Sequence, residues 1–151
     1  MLQEKVFKDL FEGFNHTKIG VVGDIMLDTY WWGNVDRISP EAPVPIVNLK
    51  RKEIRVGGAA NVALNLRALG ALTTIFAVIG NDQEGKDLKA LLEAEKIETG
   101  YIHTSIDRVT TNKVRVMGRN QQMMRLDHEN TNDINSIYTC MYISCLYFFR
   151  F

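Results

Sequence analysis

The stretch Gly57-Gly58-Ala59-Ala60-Asn61-Val62-Ala63, followed by Gly70 and Gly80, decides how this chain is read. Two glycines open a helix, and small residues and an asparagine follow. A helix N-terminus stripped of side chains lets a polar ligand reach the backbone N–H groups. Asn61 lies one turn further in, within reach of a ligand hydroxyl. Taken bare, the same run also reads as a tight strand-to-helix turn whose small residues allow close packing.

Working outward, the helix spans Gly58–Leu69, with Val62, Leu66 and Leu69 on its apolar side and Gly70 closing it. Before it, Lys18–Gly23 is a short apolar strand of the buried parallel type. Thr29–Gly33 is an extended aromatic segment. Pro40, Pro43 and Pro45 keep the next stretch out of helix. Ile46–Leu49 and Glu53–Val56 read as two further strands. After the helix come a strand at Thr73–Ile79, a helix at Glu84–Glu95 and a strand at Tyr101–Thr104. Thr111–Met117 and Gln122–Asp127 read as a hairpin around Gly118-Arg119-Asn120. At the N-terminus, Leu2, Val6, Leu10 and Phe14 fall at helical spacing, with Phe7 and Phe11 beside them as packing residues. Strands alternating with helices imply an α/β fold on a parallel sheet. The strands after Asp28 and the late hairpin do not fit that alternation.

The spacing from Gly57 through Gly80 resembles the N-terminal signature of the ribokinase-like (PfkB) sugar kinases. Upstream lie Val21-Val22-Gly23-Asp24-Ile25-Met26-Leu27-Asp28, Tyr30-Trp31-Trp32-Gly33 and Arg37-Ile38-Ser39-Pro40-Glu41-Ala42-Pro43. Downstream lies Arg119-Asn120-Gln121-Gln122-Met123-Met124-Arg125-Leu126-Asp127. Together these are similar to one branch, the D-glycero-β-D-manno-heptose 7-phosphate kinases, which occur alone or as part of a bifunctional ADP-heptose synthase. The resemblance covers about Phe7 to Ile134. It implies a ribokinase-like parallel sheet flanked by helices, with a small β-lid over the sugar, of which this chain carries the N-terminal half; the C-terminal half is missing. The lid strands fall at about 29–56 and 111–127, within a sugar-binding unit 1–135. Lids of two subunits often pair in the family, which implies a homodimer.

The resemblance also distributes roles. In open α/β sheets ligands bind beyond the carboxyl ends of the strands. Asp28 becomes the carboxylate that accepts hydrogen bonds from sugar hydroxyls, which it does strongly because the bonds are charge-assisted. Asp24 either joins it or holds the turn through backbone N–H groups. Gly57 and Gly58 admit the sugar to the backbone, and Asn61 bonds a further hydroxyl. Tyr30, Trp31 and Trp32 either wall the pocket or pack the lid. The substrate's own phosphate calls for cations, and Lys113, Arg115, Arg119 and Arg125 sit on or near the predicted hairpin, with Arg37 a similar candidate. Lys113 and Arg115 share one strand face. The same residues also suit a solvated edge strand whose charges discourage aggregation. His16, His103 and His128 are isolated and lack metal-ligand spacing.

Composition narrows the partners. Eighteen Lys and Arg balance eighteen Asp and Glu, so nothing points to electrostatic binding of nucleic acid or an anionic membrane. No cationic segment followed by an apolar one marks a secretory signal, and the two cysteines, Cys140 and Cys145, build no disulfide framework or zinc site in residues 1–135. A cytoplasmic protein is expected.

Residues 136–151 differ in character. Tyr138, Tyr142, Tyr147, Phe148, Phe149 and Phe151 crowd a stretch whose one charge is Arg150. It reads as an aberrant aromatic tail from a frameshift or truncation, as a real docking element, or, being shorter than the about 20 apolar residues of a spanning helix, least well as a membrane anchor. Family kinases draw their general base and anion hole from a Gly-Ala-Gly-Asp-type motif far downstream, along with most of the ATP site and the positions that support Mg2+. That motif does not occur in these 151 residues, nor does a Gly-x4-Gly-Lys-Ser/Thr phosphate loop. The resemblance therefore implies ATP and Mg2+ for the full-length enzyme, and for this chain alone a catalytically inert sugar-phosphate-binding half with no cofactor.

Overall fold

A computed structural model describes residues 2–119, 121–140 and 143. Asn120 and the readings placed on Tyr142, Cys145, Tyr147, Phe148, Phe149, Arg150 and Phe151 lie outside the described residues. The elements run α1 (Leu2–Phe14), β1 (Lys18–Val22), β2 (Ile25–Ile38), β3 (Pro45–Gly58), α2 (Ala59–Ala68), β4 (Leu72–Gly80), α3 (Gln83–Ala94), β5 (Ile102–Ser105), β6 (Asn112–Gly118) and β7 (Gln121–His128).

They form two sheets. The body is parallel, in the order β1-β4-β5, with β1 registered Lys18↔Leu72 through Val22↔Phe76. The second sheet, termed the lid after the sequence expectation, has the order β3-β2-β6-β7, where β2 pairs antiparallel with β3 and parallel with β6. β2 alternates as a half-buried strand should: Ile25, Leu27 and Thr29 are buried, and Met26, Asp28 and Tyr30 are partly open. Ile25 and Leu27, with Val56 of β3, join Ile75, Ala77, Ile79, Leu88, Leu92 and Ile102 in the main core. The lid is thus rooted in the body.

Sequence reading split β3 in two at its charged Lys50-Arg51-Lys52 run. The structure shows one strand with a bulge, because Trp32 pairs with Arg51 and Gly33 with Leu49, leaving Lys50 as the extra residue. Gly33 is needed there. A Cβ on it would lie 2.6 Å from the Asn48 carbonyl oxygen and 2.7 Å from Val47 Cγ1.

Two apolar assignments are corrected. α2 buries Ala60 and Ala63 completely, while Val62 is 50% and Leu69 45% exposed. The short alanines let the helix lie close on β4, which turns the bulkier residues outward. In α1 the helix forms as expected, but Val6, Phe7, Leu10 and Phe11 are exposed, so they are not core. Gly70 does close α2. At φ 104° its N–H bonds the Arg67 carbonyl and the next N–H bonds that of Leu66, the paired signature of a glycine-terminated helix. Beyond β7, residues 136–140 and 143 are helical, with the Asn135 side chain accepting from the Ile137 N–H at 3.1 Å.

One polar knot fastens the body to the lid. Asp82 caps α3 by accepting from the Gly85 N–H at 2.8 Å, and it also accepts from the Thr110 N–H at 2.7 Å and the Thr110 hydroxyl at 2.6 Å. The Thr110 hydroxyl in turn accepts from the Gly80 N–H at 3.0 Å. Gly80 is glycine for this reason, since a Cβ would stand 2.6 Å from Thr110 N and 2.7 Å from the Arg108 carbonyl oxygen. Burial pushes the Asp82 carboxyl up, but the Thr110 and Gly85 bonds outweigh it and hold it below its ordinary value of 3.8. A depressed carboxylate stabilises the fold above that ordinary value, and the contribution is lost as pH falls through the folded-state value. Asp82→Asn should cost about 2 kcal/mol at neutral pH, because its amide oxygen keeps the cap while its NH2 is set against the Thr110 N–H that Oδ2 accepted. Urea unfolding should show the parent losing more stability than the variant on acidification below pH 4. Parallel acid profiles would sink this account of Asp82.

Candidate functional site

The register of β2 on β3 sets Met26 opposite Gly57 and Ile25 opposite Gly58 at the mouth between lid and body. The Asp28 carboxylate lies over Gly57, where a Cβ would run into its oxygen and would stand 3.0 Å from its carboxyl carbon. Gly58 has φ +61° and ψ −137° and is the N-cap of α2, with no side-chain cap and no acidic residue in the first turn. A Cβ there would strike the Asp24 carbonyl oxygen. That carbonyl accepts from the Ala59 N–H at 2.8 Å, so Asp24 holds the turn by its backbone rather than its side chain. Asn61 is exposed on the first turn, and its side chain makes no hydrogen bond to a described residue. Asp28, Gly57 and Gly58 are therefore brought together at the start of α2, with Asn61 on its first turn and no side-chain cap.

The cations are spread differently from the sequence expectation. Arg115 Nη1 donates to Asp28 Oδ1, a partly buried pair with side chains 22% and 21% exposed. This bond raises the Arg115 guanidinium further above its ordinary value, against the opposing effect of burial. Lys113 bonds Glu129 at 3.0 Å and Asp127 at 3.5 Å. Its hydrogen bond to Glu129 holds the ammonium above its ordinary value despite burial, with Asp127 adding to it. Arg125 Nε donates to Asp127 at 2.9 Å. Burial pushes the Asp127 carboxyl up, yet Arg125 and Lys113 prevail and lower it. Arg119 lies apart, at the hairpin turn with φ 49°, paired to Asp36 at 3.2 Å and largely exposed. Arg37 is exposed on β2.

Strand alternation sorts the aromatics. Tyr30 and Trp32 stack on each other at 6.1 Å and 16° on the face that carries Asp28. The guanidiniums of Arg55 and Arg115 stand 5.1 and 5.3 Å from the Tyr30 ring, and that of Arg51 stands 5.3 Å from Trp32. Trp31 belongs to the opposite face, with Lys52 at 5.1 Å. Glu53 bridges Arg51 at 3.3 Å and Arg55, and the Arg55 bond holds its carboxyl low. Arg51, Glu53 and Arg55 were missed by sequence reading. Their signal was the two-residue spacing, legible only once β3 is one strand opposite Tyr30 and Trp32.

No group of three or more His, Cys, Asp or Glu side chains among the described residues is disposed to hold a metal ion. These residues do not fit a divalent-ion site; what they build is a carboxylate beside the start of α2 with cations around it. No helix among the described residues is long and apolar enough to cross a membrane.

Residues 16–143 match the family profile for pfkB family carbohydrate kinases. The chain belongs to the pfkB family of carbohydrate kinases. It is 48% identical over 130 residues to the bifunctional protein HldE of Coxiella burnetii, covering 86% of this chain and 26% of the relative. It is 48% identical over 118 residues to the D-beta-D-heptose 7-phosphate kinase of Bordetella bronchiseptica, covering 78% of this chain and 37% of that one. The chain thus spans between about a quarter and somewhat more than a third of these relatives' length. Among solved structures it is similar to a carbohydrate kinase from Agrobacterium tumefaciens, with TM-score 0.62 and 24% identity over 74% of this chain and 35% of the other. It is also similar to the Arabidopsis thaliana ribokinase complexed with ribose and ATP, with TM-score 0.56 and 19% identity over 76% of this chain and 35% of the other. These confirm the ribokinase-like α/β fold, a pfkB kinase fold with helices on a parallel sheet.

The pfkB glycine Gly57 predicts a coupled defect. A double-mutant cycle of Asp28→Asn and Arg115→Met should give a coupling of about 1 kcal/mol in denaturant unfolding. In the Gly57→Ala background, where Cβ displaces the Asp28 carboxyl, the coupling should fall to near zero. Equal coupling in both backgrounds would show that Gly57 does not seat Asp28.

Proposed function

We propose that this chain provides the sugar-phosphate-binding end of a heptose 7-phosphate kinase, an enzyme that transfers the ATP γ-phosphoryl group to the anomeric hydroxyl of D-glycero-D-manno-heptose 7-phosphate. The product serves ADP-heptose and lipopolysaccharide precursor synthesis, in the cytoplasm. The observation that carries this reading is the Asp28 carboxylate seated on Gly57 beside the start of α2, which has no side-chain cap. The 48% identity to a D-beta-D-heptose 7-phosphate kinase supports the choice of sugar.

In this reading Asp28 accepts two sugar hydroxyls with the lone pairs that Arg115 leaves free. Arg115 orients that carboxylate. Gly57 and Gly58 let the ring approach the backbone, and Asn61 bonds a further hydroxyl. Tyr30 faces the sugar's C–H edge. Lys113, Arg119 and Arg125 exchange carboxylate partners for the substrate's phosphate, which suits their charge and, for the arginines, their planar forks. ATP, with Mg2+, supplies the phosphoryl group when the nucleotide end is present. The general base belongs to that end too, so the 151 residues alone bind substrate without turning it over. Phosphoryl transfer rests on positioning and charge stabilisation, and loss of base and anion hole together removes it.

The lid supplies a partner in the same reading. On the face opposite Asp28, Ile54, Met124 and Leu126 are 44%, 55% and 46% exposed. A second copy's lid covers them in a homodimer.

Calorimetry tests the reading. The chain should bind heptose 7-phosphate saturably and at least tenfold more tightly than the unphosphorylated sugar, a charge-assisted difference of about 1.5 kcal/mol. Asp28→Ala and Asn61→Ala should each weaken binding by a similar factor, and no ADP should form from ATP. Sedimentation of the same sample should show a dimer that Leu126→Lys dissociates. Turnover by the pure chain, or binding indifferent to Asp28, would contradict the proposal.

A further inference from the structure

The lid meets the body at four connections: Gly23–Asp24 between β1 and β2, Gly58 where β3 runs directly into α2, residues 106–111 between β5 and β6, and residues 129–135 after β7. The first two are tied to each other by the Ala59 N–H on the Asp24 carbonyl. The other two are tied by one side chain. Arg108 Nη1 donates to the carbonyl oxygens of Asn132 at 2.8 Å and Asp133 at 3.3 Å, and Nη2 donates to that of Asn130 at 3.0 Å. Two residues on, Thr110 is locked to Asp82 at the start of α3. Between the two ties lies a cavity of about 390 Å³ whose lining includes Asp24, Met26, Arg108, Thr111 and Asn130. The connections therefore surround one junction, and Arg108 spans it.

A guanidinium suits this task. Its rigid fork serves several carbonyls at once, whereas an ammonium is a point charge on a flexible stem. Arg108 has no carboxylate within ion-pairing distance among the described residues, so its hydrogen bonds go to the backbone. The segment it holds is otherwise a loop.

We infer that Arg108 is a positioning residue: it latches the exit of β7 to the β5–β6 connection and so fixes the lid's pose over Gly57 and Gly58. This rests on the sugar-phosphate reading above. A site held in its binding geometry loses less freedom on binding, so an unlatched lid binds the same ligand more weakly without any contact being removed.

The test uses the full 151-residue chain with Arg108→Lys and Arg108→Met. Hydrogen exchange at the Asn132 amide, which donates to Asn130 Oδ1 at 2.9 Å inside the latched segment, should quicken at least tenfold in both variants, while β4 and α2 keep their protection, which shows the body intact. The Kd for heptose 7-phosphate should rise about tenfold in both, with its salt dependence unchanged. Unchanged exchange, or full rescue by lysine, would overturn the latch. A flattened salt dependence in Arg108→Met would overturn it differently, by making Arg108 a direct ligand of the phosphate. If the parent chain binds no heptose 7-phosphate, the functional reading fails, and the exchange measurement still decides the latch.

Discussion

The burial of Ile25, Leu27 and Val56 in the body's core is the constraint on which the rest depends. These three side chains belong to lid strands, yet they pack with Ile75, Ala77 and Leu88 of the body. Burying each is worth about 2 kcal/mol. Because side chains alternate along a strand, fixing Leu27 inward fixes Asp28 outward. The pairing of β2 with β3 then carries Asp28 to Gly57, where only a glycine leaves room for the carboxyl. A one-residue slip of β2 would put Asp28 into the core and Leu27 at the mouth. Hydrophobic burial therefore sets the register, and the register sets the chemistry.

Around that point the lid face is an alternating lattice of charge. Asp28, Glu53, Asp127 and Glu129 are matched by Arg115, Arg51 and Arg55, Arg125, and Lys113. Tyr30 and Trp32 lie among the cations. Such a surface is nearly balanced in charge and rich in groups that trade partners at little cost, since exposed pairs are individually weak. The partly buried Asp28–Arg115 pair is the stiff element. It gives the proposed sugar site one fixed carboxylate within an adaptable rim.

Much of this was legible in the sequence because periodicity and glycine spacing are local signals. β1, β4, α3 and the β6–β7 hairpin lie where apolar runs and turn residues put them. The Gly57–Asn61 run marked the helix end, and Asp28 was placed beside it. What escaped depends on contacts between distant residues. Arg115 was grouped with the phosphate cations, and its bond to Asp28 spans 87 positions. Arg108 and Thr110 fall between the predicted strands and carry no sequence signal for their partners at 130–133 and at Asp82. The buried face of α2 was misjudged because Val62 and Leu66 are larger than Ala60 and Ala63. Close packing on β4 favours the smaller pair.

The most direct measurement is a crystal structure of the chain grown with D-glycero-D-manno-heptose 7-phosphate. The account predicts sugar hydroxyls about 2.6–3.0 Å from the Asp28 carboxylate and the Asn61 amide, with the ring lying over Gly57. A sugar bound elsewhere, with Asp28 left to Arg115 alone, would contradict it.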